Sequence, residues 1–135
     1  MGGRAALRAA GDPGVTGVVA LAPWCPPGEP VAQLAGTRLV VIHGRADRVT
    51  SPAESLRLAV AARAAGAQVC RYELSGGDHA MLRRAAVWHD LTTRTACALL
   101  GLADLLPEAA SAFALPSAAP DGLALPAITG TTRRS

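Results

Sequence analysis

Two short segments hold most of the side chains able to exchange protons at neutral pH. The first reads His43-Gly44-Arg45-Ala46-Asp47-Arg48-Val49-Thr50-Ser51-Pro52, the second Ser75-Gly76-Gly77-Asp78-His79. A carboxylate that accepts a hydrogen bond from the Nδ1 of an imidazole fixes the ring's tautomer, leaves Nε2 as a base and stabilises the imidazolium formed on proton uptake. Asp47 and His79 are the candidates for that pair. Asp47 also has a simpler reading, because aspartate commonly starts a turn by bonding its own backbone. Asp78, next to His79, reads as a solvated loop carboxylate or a charge favouring a helix N-terminus.

Only the fold can bring Asp47 and His79 together, and the sequence predicts which elements do so. Gly17 to Ala22 and Arg38 to His43 are continuous apolar runs of strand length, and Gln68 to Leu74 reads as a third strand, all consistent with strands buried on both faces. Gly2 to Ala10 reads as a helix closed by Gly11-Asp12-Pro13-Gly14. Pro23 to Thr37, with Trp24, Cys25 and four prolines, has room for one short helix around Glu29 to Ala35. Pro52 to Ala65 is predicted helical, with Ser51 as N-cap and Gly66 as its C′ stop. A last long helix is predicted from Ala80 to about Leu100, with Leu82, Ala86, Leu91 and Leu99 among its apolar positions. Alternating strands and helices give an α/β fold, a parallel sheet of about three strands in a three-layer sandwich. Functional groups in such sheets gather where loops leave the carboxyl ends of the strands. The Asp47 and His79 loops both leave there.

The chain has 135 residues, of which 50% are hydrophobic and 17% charged, enough apolar material for one folded domain and too little charge for a disordered chain. Residues 1–106 are expected to form that domain. From Pro107 to Ser135 the sequence is rich in Pro, Ala, Ser and Gly and is expected to be a low-complexity, disordered tail. Arg, Pro or Gly interrupts every apolar stretch before the roughly 18–20 residues that cross a bilayer, so no membrane association is expected. The net charge is +3, but the arginines are scattered and there is one Tyr and one Phe; neither a basic stripe nor a stacking platform for nucleic acid emerges. Cys25, Cys70 and Cys97 lack metal-site spacing with each other or with histidines. No metal and no cofactor are expected, and three thiols without a secretory leader point to the cytoplasm.

The pattern H-G-x-x-D closely followed by Pro, a helix, a buried strand and then G-G-x-H resembles the α/β-hydrolase superfamily, over roughly residues 1 to 100. The resemblance implies that Asp47 is the acid and His79 the histidine of a Ser-Asp-His triad, in the chain order nucleophile, acid, histidine. His43 would then pack and shape the loop. The family carries its serine on a strand-to-helix elbow, G-x-S-x-G, and no serine of this chain stands in that context. Met1-Gly2-Gly3 instead resembles the residues that follow the serine in the form G-H-S-M-G-G, which implies that the backbone N–H of Met1 is an oxyanion donor. On that alignment the chain corresponds to the carboxyl-terminal part of an esterase or dienelactone-hydrolase-like enzyme acting on small esters. The short Pro23 to Thr37 link implies that it has no lid. The alternative is a catalytically inactive fragment, or a half-domain that docks on a partner carrying the nucleophile. In either case the first strand would show a bare apolar edge, suited to self-association. Cys25 is off the elbow, His89 reads as a solvated helix residue, and Trp24 and Trp88 read as packing residues, with Trp24 able to line a substrate pocket.

Overall fold

The computed structural model describes residues 1–116. Three strands, β1 (Gly17–Leu21), β2 (Arg38–Gly44) and β3 (Gln68–Leu74), form one parallel sheet in the order β1-β2-β3. Four helices flank it: α1 (Gly2–Ala9), α2 (Pro52–Ala64), α3 (Ala85–Leu99) and α4 (Pro107–Phe113). The class is α/β. Between β1 and β2 the predicted short helix shrinks to one 3-10 turn at Ala32–Leu34. Pairing sets Val18 beside Leu39 and Leu39 beside Val69, so the carboxyl ends of β2 and β3 finish level at Gly44 and Leu74.

Side chains alternate between the two faces of each strand, which splits the core in two. On one face Val18, Ala20, Leu39, Val41 and Val69 pack with Leu7 of α1 and Leu58, Ala59 and Ala62 of α2. On the other, Val40, Ile42, Cys70, Tyr72 and Leu74 pack with Trp88 and Leu91 of α3 and Ala109, Ala112 and Phe113 of α4. Every residue of β2 beyond Arg38 is buried. β1 differs from the expected doubly buried strand, because Val19 and Leu21 on its second face are only half covered. They pack at the margin of the second core and also line cavities, Val19 one of about 350 Å³ shared with Leu99 of α3 and both residues one of about 380 Å³.

α2 follows its sequence signals. Ser51 Oγ accepts the Glu54 N–H at 3.3 Å and Pro52 opens the first turn, and Gly66 takes φ +101 after the last turn. Two other segments correct the expectation. The last long helix starts at Ala85, not Ala80, because residues 80–84 form an irregular connection in which Met81 and Arg84 both have positive φ. Leu82, counted above as an apolar helix position, is 79% exposed. The start of the predicted tail is α4. Pro107 at its first turn, Glu108 at its positive end and three alanines make a helix, and Phe113 anchors it to the sheet beside Arg38. The rest of the predicted tail, from residue 117 on, lies outside the described residues.

Phe113→Ala should cost about 3 kcal/mol of stability, the usual penalty for emptying a buried aromatic site. Urea unfolding measures it, and a loss below about 0.5 kcal/mol, the range of ordinary surface substitutions, would show that α4 does not belong to the folded unit.

Candidate functional site

The loops leaving β2 and β3 are locked together by their backbones alone. The Arg45 N–H donates to the Leu74 carbonyl at 2.9 Å and the Ala46 N–H to the Gly77 carbonyl at 3.0 Å. Each loop turns tightly, with Asp47 N–H bonding Gly44 O and Gly77 N–H bonding Leu74 O. The two backbones touch at Gly44 and Gly77, and a Cβ on Gly44 would lie 2.4 Å from the Gly77 oxygen. No other residue fits there, which is the physical reason for glycine in both segments.

This crossing brings Asp47 and His79 together. Asp47 Oδ2 lies 2.9 Å from His79 Nδ1. The carboxylate side chain is fully buried, whereas the His79 side chain is 36% exposed. The two carboxylate oxygens do different work. Oδ1 accepts the backbone N–H groups of Val49 at 2.8 Å and Thr50 at 2.9 Å, the turn-forming role open to any loop aspartate. Oδ2 accepts the Thr50 hydroxyl at 2.8 Å and His43 Nε2 at 3.1 Å as well as His79 Nδ1. Burial works against the charge on Asp47. The hydrogen bonds from the Thr50 N–H, from His79, from the Thr50 hydroxyl and from the Val49 N–H outweigh it, and the carboxyl is held well below the ordinary aspartate range. An ionised carboxylate only accepts hydrogen bonds, so His79 Nδ1 must be the donor and Nε2 carries the free lone pair of the neutral ring.

His79 lines two cavities. One, of about 410 Å³, is bounded by Ala46, Arg48, Val49, Asp78 and Arg83. The other, of about 380 Å³, is bounded by Val19, Leu21, Ala22, Met81 and the first residues of α1, Met1 to Gly3. Met1 is the N-cap of α1, and its carbonyl accepts the Ala5 N–H. Gly3 fits against the end of β1, where a Cβ would stand 3.1 Å from the Leu21 carbonyl oxygen. Between them Ala22 is buried at φ 41, a strained backbone for a residue with a side chain, in the wall of the same cavity.

No protein-family model, no curated protein and no solved structure matches this chain.

The fold thus brings Asp47, His79 and the start of α1 to one end of the sheet. Asp78 lies elsewhere on the loop, accepting the Arg83 N–H at 3.4 Å. Cys25 is buried, its thiol donates to the Pro23 carbonyl, and burial together with the charge of Glu29 pushes it up to about 11, so it is an unreactive thiol. Trp88 is buried, His89 is exposed, and Trp24 is half exposed with the Arg4 guanidinium over its ring. Among the described residues no group of three or more His, Cys, Asp or Glu side chains could hold a metal ion. Sequence reasoning missed Thr50, whose hydroxyl and amide both serve Asp47; a threonine three residues after a loop aspartate is the signal that could have found it. It also missed Arg71, a fully buried cation bonded to the Pro52 carbonyl, Ser55 Oγ and Glu73. Its signal is an arginine two residues before a glutamate inside a buried strand.

Two outcomes follow from this geometry. Gly44→Ala should destabilise the chain by more than about 2 kcal/mol, since backbone must move to admit the Cβ, and unfolding near the wild-type midpoint would contradict the contact. Because the folded-state carboxyl of Asp47 is lowered, its stabilising effect is complete above the ordinary aspartate value of about 3.9 and is lost as pH falls from there toward the lower folded value. Asp47→Asn should therefore flatten the loss of stability below about pH 4, as followed by denaturant unfolding against pH; an unchanged slope would show that Asp47 is not held ionised.

Proposed function

We propose that this chain carries the acid and the histidine of a Ser-Asp-His hydrolase of the α/β-hydrolase type, acting on small esters, with Asp47 and His79 in those roles. One observation carries the reading: Asp47 Oδ2 and His79 Nδ1 are bonded at 2.9 Å while His79 lines a cavity that the start of α1 also lines. The serine must come to that cavity from outside the described residues. Among these, Ser51 caps α2, Ser55 donates to the Pro52 carbonyl, Ser111 donates to the Pro107 carbonyl, and Ser75, whose carbonyl accepts the Arg84 guanidinium, lines neither cavity of His79. Thr50 lies on the Nδ1 side of His79, at 3.2 Å, away from the basic nitrogen.

In this reading His79 Nε2 takes the proton of the serine hydroxyl as its oxygen attacks the ester carbonyl, and the buried negative charge of Asp47 stabilises the imidazolium. In the full protein, where a residue precedes Met1, the tetrahedral oxyanion accepts a hydrogen bond from the backbone N–H of Met1 at the positive end of α1. The intermediate collapses as His79 returns the proton to the departing alkoxide. Water then repeats the sequence on the acyl-enzyme and frees the acid. Cavities of about 410 and 380 Å³, both lined by His79, suit small acyl and alcohol groups. Three free cysteines fit a reducing, cytoplasmic setting, and among the described residues no helix is long and apolar enough to cross a membrane.

A second reading rests on the edge of the sheet. β1 pairs only with β2 among the described residues, and the half-covered Val19 and Leu21 line open cavities beside that edge. A non-catalytic half-domain would use it to dock on a partner that carries the nucleophile, or on a second copy of itself.

The gene product from its own source should hydrolyse p-nitrophenyl acetate, and His79→Ala should lower kcat/KM by about a thousandfold or more. Hydrolysis that survives His79→Ala undiminished would overturn the hydrolase reading.

A further inference from the structure

We infer that His43, resting on the proposed hydrolase reading, is a positioning residue: a permanently neutral imidazole whose Nε2–H holds the Asp47 carboxylate in line with His79. His43 is completely buried at the carboxyl end of β2. Its Nε2 lies 3.1 Å from Asp47 Oδ2, the oxygen that receives His79 Nδ1. The carboxylate can only accept, so Nε2 carries the hydrogen. The other ring nitrogen, Nδ1, is buried without a hydrogen-bond partner among the described residues. That orphan decides the charge. A bare lone pair is tolerable there, whereas protonation would put a buried N–H where no described protein group accepts it and an extra charge in a completely buried position.

The groups around His43 act in both directions. Burial opposes protonation most, the Asp47 charge and the Thr50 carbonyl favour it, and the nearby Arg71 guanidinium adds to the opposition, so the ring is held below the ordinary histidine range. Glu73, the register partner of His43 on β3, is itself engaged by Arg71 at 3.1 Å and Arg45 at 3.0 Å. The Thr50 hydroxyl and carbonyl both stand 3.4 Å from Nε2 and carry no charge. Neutrality matters to the proposed reaction. A cationic His43 would cancel the Asp47 charge that stabilises the His79 imidazolium, whereas a neutral donor fixes the direction of the carboxylate and leaves its charge in place.

The test uses the full chain and nitrogen NMR of its three histidines. In the wild type His43 should stay in the Nε2–H tautomer from pH 5 to 9, and His79 should be mainly the Nδ1–H tautomer when neutral. His43→Phe fills the space but removes the donor, so it should raise the Asp47 carboxyl titration by about half a pH unit or more and lower the Nδ1–H fraction of His79. His43→Gln, which can return an amide N–H near the position of Nε2, should restore both. The inference is overturned if His43 takes up a proton in that range, or if both variants fold and His43→Phe leaves Asp47 and His79 unchanged. These readouts do not require turnover. Absent ester hydrolysis with the NMR pattern intact would therefore sink the hydrolase reading alone. With turnover present, His43→Phe should lower kcat several-fold at constant KM, and an unchanged kcat would overturn the positioning role.

Discussion

A single buried negative charge organises this end of the molecule. The Asp47 carboxylate has lost its water and replaced it with five donors from four residues: the Val49 and Thr50 amides, the Thr50 hydroxyl, His43 and His79. A carboxylate buried alone would protonate; one given several donors stays ionised. Each donor comes from a part of the chain fixed by something else. His43 belongs to the central strand, Val49 and Thr50 to the loop leading into the capped start of α2, and His79 to the loop after β3. Charge, loop shape and sheet register therefore depend on one another.

The backbone supplies the accuracy. A parallel sheet ends two neighbouring strands level with each other, but level strand ends alone leave their loops free to diverge. The contact of Gly44 with Gly77, and the two amide bonds beside it, remove that freedom. Strain at Ala22, Met81 and Arg84 lies in the segments that bound the cavity with α1 or lead away from His79. Backbone held in an unfavourable region persists where the surroundings over-determine it, and here those surroundings are the sheet ends, α1 and the buried carboxylate network.

β1 and β2 were legible in the sequence because parallel strands read as unbroken apolar runs, and β3, despite Arg71 and Glu73 within it, occupies the predicted residues, Gln68 to Leu74. α2 was legible through its cap, its proline and its terminal glycine. The misreadings share a cause. Apolar letters were counted without knowing their partners: Leu82 faces solvent, Val19 and Leu21 face cavities, and Phe113, at the end of an alanine-rich stretch, meets the sheet. Pairing Asp47 with His79 needed only the rule that loops gather at strand ends. The work of His43 and Thr50 on the same carboxylate was not visible, since a histidine ending a buried strand and a threonine in a turn look the same whether or not they meet a charge.

In the proposed hydrolase Asp47 and His79 act as one unit in proton transfer. The most direct measurement is a double-mutant cycle on the gene product from its own source, comparing kcat/KM for ester hydrolysis in Asp47→Asn, His79→Ala and the combined variant. If Asp47 works through His79, the double variant will be no slower than His79→Ala alone, because the carboxylate has nothing left to orient. Losses that add in full would contradict the account, since each residue would then contribute without the other.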